Sequence, residues 1–246
     1  MNTLPENVFF DINHFPREYG MIVFPISMSR IANAQSPEAC FSCMELFAEK
    51  MLANTVWFNF LYSEGLYMNF EEEKNHLAQT AVAHKGWIMK LIEKNYREFQ
   101  IDRAIHFDSW FQMYLGHKSF FSALSEIKRI FREDPLFERY VRLDSEEAGK
   151  LYTEEQIDFY LEEHTMAYLL LNRELKLENR FLDGQEEWIL FAYPGKPPRA
   201  QVYLFQLDPL KIMGDTNPYK GLYDLSEKIF IDYMRVDLRT WEMKKE

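Results

Sequence analysis

The chain has 246 residues, of which 47% are hydrophobic and 16% aromatic, a length that fits one large α/β domain better than two. Its formal net charge of −11 argues against a general nucleic-acid-binding protein, because phosphate contacts need a concentrated basic surface. No segment approaches the roughly 20 continuous apolar residues that a membrane span requires, and residues 1–7 lack the basic start and apolar run of a signal peptide. We therefore expect a soluble cytoplasmic protein with no membrane partner.

The first half of the chain predicts an irregular lead-in followed by alternating strands and helices. Residues 1–19 are the lead-in, and residues 20–246 are predicted to form a single α/β domain. Ser36-Pro37-Glu38 predicts a helix start, because it combines a hydroxyl cap, a proline at the first helical position and an acid in the first turn. Strands are predicted at 21–27, 55–62 and 104–107, and helices at 38–51 and 72–98.

The second half of the chain continues the alternation. Thr153-Glu154-Glu155-Gln156 has the pattern of a capping box, which predicts a helix from about 154 to 171. Helices are also predicted at 119–133 and 135–150, strands at 187–193 and 200–207, and a polar helix or coil at the end of the chain. Strands that alternate with helices of about 12 or more residues indicate a mostly parallel sheet with helices on its faces. Ligands bind such sheets at the carboxyl ends of the strands.

Cys40 and Cys43 are the two cysteines of the chain, and both lie inside the predicted helix at 38–51. Their spacing could form a redox pair, but no second pair completes a metal site. We favour the interpretation that they are two buried thiols on a packing face.

Two hydroxyl side chains end predicted buried strands. Ser27 ends the first strand, and Tyr193 ends the strand at 187–193 and precedes Pro194. Since proline favours an extended backbone in the residue before it, Tyr193 is held at the strand end. A serine and a tyrosine at one sheet edge suit acyl transfer better than metal or nucleotide chemistry, although each is also common in turns. The absence of a Gly-x-Ser-x-Gly motif argues against an α/β-hydrolase.

The predicted helix at 154–171 carries a candidate amine-binding pair. Tyr160, Glu163 and His164 project from one face because they are three and four residues apart. Phe159 and Glu163 are the alternative pair, four residues apart. A carboxylate could pair with an ammonium group while a phenol orients it. No second His/Glu pair occurs at ligand spacing, so no metal site is predicted.

Together these segments resemble the tRNA-dependent cyclodipeptide synthase family. In that family a serine near the end of the first strand takes the aminoacyl group from one charged tRNA, and Ser27 matches this residue. A tyrosine and a glutamate on a later helix bind the amine, and Tyr160 and Glu163 are our matches. Tyr193 matches a strand-end tyrosine that assists later proton transfers.

The resemblance also indicates a branch of the family and leaves one choice open. Pro194 after the last tyrosine, and Arg30 where the other branch has asparagine, are typical of the Tyr-Pro branch and are expected to bind substrate. The tyrosine and glutamate of the family are usually four residues apart. The pair is therefore Tyr160 with Glu163, Phe159 with Glu163, or Tyr168 with Glu174.

The resemblance implies a Rossmann-like domain similar to the catalytic domain of class I aminoacyl-tRNA synthetases, without a metal or an organic cofactor. The implied partners are two aminoacyl-tRNAs used in sequence, and we expect a monomer that does not bind DNA. The family binds tRNA through a basic helix. Here the candidates are Lys85, Lys90, Lys94 and Arg97, although a solvated face of the helix at 72–98 explains them equally well.

The expected activity is the synthesis of a cyclic dipeptide (a 2,5-diketopiperazine) through an aminoacyl ester on Ser27. Two alternatives remain: an aminoacyl-tRNA-dependent transferase that uses another acceptor, and a non-catalytic acidic interaction module of the same fold. The sequence does not determine which amino acids are used, because one methylene changes discrimination by only about 1–3 kcal/mol.

Overall fold

The computed structural model describes residues 19–53, 55–69, 74–111, 118–174, 188–212 and 217–243. The predicted lead-in therefore lies outside the described residues, except for Tyr19. Within the described ranges, the search for a helix with the length and apolar character of a membrane span finds none.

A six-stranded sheet forms the centre of the molecule. Its strands are β1 (Gly20–Ile26), β2 (Val56–Tyr62), β3 (Ile105–Ser109), β4 (Trp188–Tyr193), β5 (Gly221–Asp224) and β6 (Ile229–Asp232). Their spatial order is β3-β2-β1-β4-β5-β6, with β1 to β5 parallel and β6 antiparallel to β5. The predicted mostly parallel sheet is confirmed. Because β1 lies between β2 and β4, the carboxyl ends of these three strands meet at one edge.

Helices cover this sheet, as the alternation predicted. The described helices are α1 (Pro37–Glu45), α2 (Ala48–Leu52), α3 (Lys74–Tyr96), α4 (Lys118–Glu133), α5 (Pro135–Glu147), α6 (Glu154–Leu171) and α7 (Arg199–Leu207). Both predicted caps are confirmed: Ser36 accepts a hydrogen bond from the Ala39 amide, and Thr153 accepts one from the Gln156 amide. Helix α1 packs on α3, α4 on α6, and α5 on α7.

The predicted strand at 200–207 is wrong, because this segment forms helix α7. The buried carboxylate of Asp144 accepts hydrogen bonds from the backbone amides of Arg199 and Ala200, at 2.9 and 2.8 Å. These amides belong to the first turn of α7, where a helix has no internal acceptor for them. The apolar run favoured a strand locally, but a cap from a distant helix favours the helical conformation.

Two other elements differ from their predictions. The predicted helix at 38–51 is divided into α1 and α2, and Phe47 at the break is buried against Phe58 with ring centroids 5.9 Å apart. The predicted polar helix or coil at the C-terminus is instead strands β5 and β6, followed by a short antiparallel pair, β7 (Val236–Asp237) and β8 (Glu242–Met243). Strands of two to four residues are too short to show a clear hydrophobic alternation.

The core is dense and aromatic. Its largest fully buried side chains include Trp188, Tyr62, Tyr168, Tyr233, Phe24 and Phe60. Cys40 and Cys43 are free, buried thiols, which confirms the interpretation as packing residues.

Candidate active site

A cavity of about 910 Å³ opens at the carboxyl edge of the sheet, beside the ends of β1, β2 and β4. Its volume lies in the range that is usual for ligand-binding sites. The predicted site residues on its wall are Ser27, Arg30, Phe159, Tyr160, Glu163 and Tyr193. The structure thus brings together side chains from β1, β4 and α6 that are widely separated in the sequence.

Ser27 is fixed by hydrogen bonds on both sides of the strand end. Its backbone amide donates to Oε1 of the buried Gln35 at 2.8 Å, and Nε2 of Gln35 donates to the Pro25 carbonyl at 2.7 Å. The hydroxyl of Ser63, just after β2, donates to the Ile26 carbonyl at 2.8 Å. These bonds hold the serine where β1 leaves the sheet.

The Ser27 hydroxyl contacts two other hydroxyl groups. Ser27 Oγ lies 3.0 Å from Ser29 Oγ and 3.4 Å from the phenol oxygen of Tyr67. Tyr67 was not among the residues expected from the sequence, and it lies in the 3₁₀ helix Glu64–Asn69 shortly after β2. Its position at the carboxyl end of a parallel strand was a usable signal, because ligands bind at that edge.

Glu163 lies deep in the molecule and has part of its side chain open to the cavity. Burial raises its pKa to about 7, while the positive charge of Arg30 acts in the opposite direction and the negative charge of Asp144 raises it further. Burial, reinforced by Glu163, also raises the pKa of Tyr160. A carboxyl group with a pKa near neutrality can be ionised to bind an ammonium group and can also exchange a proton.

Arg30 connects the loops that follow β1 and β4. Its Nη1 donates to the Pro194 carbonyl at 3.2 Å, and its guanidinium carbon lies 5.2 Å from the centre of the Tyr193 ring. Burial raises the pKa of Tyr193 to about 12, while Arg30 acts in the opposite direction. Pro194 itself is not on the cavity wall, so its described contribution is this backbone carbonyl.

The structure narrows the choice of helical pair. Tyr168 is buried and its hydroxyl donates to Asp208, and neither Tyr168 nor Glu174 is on the cavity wall. Phe159, Tyr160 and Glu163 all line the cavity. Of the two candidate glutamates, Glu163 lines the cavity and Glu174 does not, and both candidate aromatic partners of Glu163 lie on the same wall.

The four candidate tRNA-binding residues do not form one uniform stripe. Lys90, Lys94 and Arg97 are exposed on α3 or just beyond its end. Lys85 is half-buried, and its ammonium lies 4.5 Å from the centre of the Tyr62 ring. Among these four candidates, the exposed charges lie in the C-terminal half of α3 or just beyond its end.

Asp144 is a second buried carboxylate at the cavity that the sequence analysis missed. Burial raises its pKa to about 6, and the backbone amides of Ala200 and Arg199, which donate hydrogen bonds to it, act in the opposite direction.

In the part of the chain that the structure describes, no group of three or more His, Cys, Asp or Glu side chains has a geometry that could hold a metal ion.

No protein-family model and no curated protein matches the sequence. Among solved structures, a cyclodipeptide synthase (CDPS) from Fluoribacter dumoffii aligns with a TM-score of 0.49 and 12% identity, over 78% of this chain and 83% of that one. A cyclodipeptide synthase from Streptomyces noursei aligns with a TM-score of 0.48 and 10% identity, over 74% of this chain and 86% of that one. Neither reaches a TM-score of 0.5. The function is therefore inferred below from the geometry of the cavity.

Proposed function

We propose that this protein is a cyclodipeptide synthase of the Tyr-Pro branch, which joins two aminoacyl groups from aminoacyl-tRNAs through an ester on Ser27. The observation that carries the proposal is the convergence of Ser27, Glu163 and Tyr193 on one cavity at the sheet edge. These three side chains supply a nucleophile, a group for the substrate amine and a proton relay. Ligand sites in parallel sheets are expected at this edge.

In the first step, Ser27 Oγ attacks the ester carbonyl of the first aminoacyl-tRNA. The new bond joins Oγ to the carbonyl carbon, the bond to the ribose oxygen breaks, and the ribose hydroxyl gains a proton. Glu163 pairs with the substrate ammonium, and Tyr160 orients it. The aminoacyl ester is already an activated donor, so the serine needs less help from a strong base than it would against an amide.

In the second step, the amine of the serine-bound residue attacks the ester of the second aminoacyl-tRNA. This amine must first lose a proton, and the raised pKa of Glu163 suits it to exchange that proton near neutral pH. The product is a dipeptidyl ester on Ser27 and a second free tRNA.

In the last step, the free amine of the dipeptide attacks the Ser27 ester and closes the ring. The bond between Oγ and the carbonyl carbon breaks, and the serine hydroxyl is restored. We assign to Tyr193 the relay of the amine proton to Ser27, because it lies on the cavity wall beside Arg30, which holds the loop after β4.

The exposed cations at and just beyond the C-terminal end of α3 are our candidates for contact with the tRNA backbone. Lys90, Lys94 and Arg97 provide local positive charge on a chain whose net charge is −11. We assign Lys85 a smaller share of this contact, because its ammonium lies over the Tyr62 ring. Phosphate contacts through these residues would weaken with added salt.

The test is expression in a bacterial host followed by mass spectrometry of the culture supernatant, with wild type and Ser27→Ala compared. Ser125→Ala is the matched control, because Ser125 is exposed on α4. We expect a cyclic dipeptide from wild type and Ser125→Ala and none from Ser27→Ala. Full product formation by Ser27→Ala would overturn the mechanism, and an aminoacylated small molecule or protein would indicate a different acceptor.

A further inference from the structure

Tyr67 places a phenol hydroxyl beside the nucleophile. Its oxygen lies 3.4 Å from Ser27 Oγ. This is long for an O–H···O hydrogen bond, but catalytic hydrogen bonds are commonly long before the substrate binds and shorten in the complex. Among the described residues, the other hydroxyl at Ser27 Oγ is that of Ser29.

The position of Tyr67 relative to Ser27 is fixed by the backbone. The amide and the hydroxyl of Ser63 both donate to the Ile26 carbonyl, at 3.1 and 2.8 Å. The turn that carries Tyr67 starts at this clamp, and the fully buried Leu66 anchors it next to Tyr67. Ser27 directly follows Ile26, and the turn that carries Tyr67 directly follows Ser63, so this clamp fixes the two segments relative to each other.

Helix α6 has no tyrosine four residues before Glu163, so it supplies no hydroxyl group to the cavity from that position. That residue is Phe159, and the Tyr67 ring packs edge-on against it with centroids 5.1 Å apart and an interplanar angle of 74°. The Tyr160 ring instead stacks beside the fully buried His164, with centroids 6.0 Å apart. Tyr67 is thus the cavity tyrosine whose hydroxyl contacts the nucleophile.

On the basis of the proposed acyl transfer at Ser27, we propose that Tyr67 is a catalytic residue that relays the serine proton to the leaving tRNA. As Oγ bonds to the carbonyl carbon, its proton passes to the Tyr67 oxygen. The Tyr67 proton passes to the ribose oxygen as the ester bond breaks. Tyr67 begins and ends the step as a neutral phenol, and no other reactant is needed.

The experiment measures single-turnover aminoacylation of the purified protein. The substrate is total bacterial tRNA charged with a radiolabelled amino-acid mixture, and the label bound to protein is followed with time at several enzyme concentrations. Tyr67→Phe removes the hydroxyl and keeps the ring against Phe159. Tyr19→Phe is the matched control, because Tyr19 is 43% exposed and precedes β1 at the end opposite Ser27.

We expect Tyr67→Phe to lower the maximal acylation rate by about 100-fold, the lower end of the contribution of proton transfer by a positioned group. The enzyme concentration that gives half-maximal rate should stay unchanged, which a purely structural role would not predict. Tyr67→Leu should be impaired to the same extent as Tyr67→Phe. If Tyr67→Leu lost acylation rate while Tyr67→Phe kept it, the aromatic ring rather than the hydroxyl would be responsible.

The outcomes separate this proposal from the one on which it rests. If wild type gains label and Ser27→Ala does not, the acyl-enzyme stands. In that case, rapid labelling of Tyr67→Phe, or a loss confined to Ser29→Ala, would overturn the role of Tyr67 alone. If wild type gains no label while its tRNA stays charged, the serine mechanism itself fails.

Discussion

The side-chain amide of Gln35 bridges two backbone groups at the end of β1, accepting a hydrogen bond from the Ser27 amide and donating one to the Pro25 carbonyl. Gln35 is itself held by the fold. Its own backbone carbonyl accepts a hydrogen bond from Nε2 of the buried His84, at 2.8 Å, and Nδ1 of His84 then accepts from the Tyr62 hydroxyl. A backbone carbonyl has no proton to donate, so His84 carries its proton on Nε2. Ser27 is thus tied through Gln35 to helix α3 and strand β2.

Removal of this bridge should impair catalysis. In Gln35→Ala the Ser27 amide and the Pro25 carbonyl lose their partner, so the serine can move away from its attacking position. A misplacement of about 1 Å can cost about 100-fold in rate, and we expect acylation of Ser27 to slow by about 10-fold to 100-fold. The measurement is single-turnover labelling from charged tRNA. Gln100→Ala, at an exposed position, is the control, and equal rates in both variants would contradict the bridging role.

The pKa of Glu163 predicts the pH dependence of activity. With a pKa of about 7, this carboxyl group is increasingly protonated below neutral pH and then no longer pairs with an ammonium group. We expect the rate of acylation to rise as the pH increases through about 7. In Glu163→Gln the rate should be low and should lose this dependence. An unchanged pH profile in Glu163→Gln would assign the titration to another group.

The same group predicts an opposite effect of pH on stability. The pKa of Glu163 is raised from 4.5 to about 7 in the folded protein, so between these values the folded state binds more protons than the unfolded state. Its contribution to stability is therefore present at low pH and lost as the pH rises through about 7. Glu163→Gln removes this loss. We expect the melting temperature of Glu163→Gln minus that of wild type to be larger at pH 8 than at pH 5, as measured by differential scanning calorimetry.

His164 is expected to make the protein less stable at acidic pH, which is opposite to the effect of Glu163. It is fully buried on α6, and burial lowers its pKa from 6.5 to about 3. Between these values the unfolded state binds more protons, so stability falls as the pH drops below about 6.5. His164→Leu, close in volume, should unfold at lower pH than wild type in an acid titration followed by circular dichroism. The control is His76→Leu at an exposed site of α3, and equal midpoints in the two variants would contradict the prediction.

Gly20 lies where β1 leaves no space for a side chain. A Cβ atom at this residue would lie 1.9 Å from the Trp188 ring on the neighbouring strand β4, so an alanine cannot fit without movement. Overpacking of a core typically costs about 1–3 kcal/mol, and we expect a loss of this size for Gly20→Ala in urea denaturation. Gly86→Ala is the control, because a Cβ there meets no atom within 4 Å.

Coupling between Gly20 and Trp188 distinguishes this clash from a backbone effect. Trp188→Phe reduces the ring that the new methyl group would meet. We expect the double variant to lose less stability than the sum of the two single variants, because contacting residues are not additive. Strict additivity would show that the cost of Gly20→Ala does not arise at the Trp188 ring.

Much of the architecture was predictable because its signals lie in adjacent residues. The apolar runs of β1, β2 and β4 predicted three strands of a mostly parallel sheet, and the Thr153 cap predicted helix α6 at 154–171, where the structure has it. From these elements alone, Ser27 and Tyr193 could be placed at carboxyl strand ends. Hydrophobic periodicity and caps are local properties of the chain, so the sequence determines them directly.

The remaining features depend on contacts between residues that are distant in the sequence. Helix α7 was mistaken for a strand because its cap is the carboxylate of Asp144, which no local pattern reveals. The contact of Tyr67 with Ser27, and the raised pKa of Glu163, exist only once β2 and α6 pack around the cavity. By itself, the sequence determined the main strands, the capped helices and the candidate nucleophile. Tertiary structure decided which side chains surround that nucleophile, because burial and long-range hydrogen bonds form only in the packed protein.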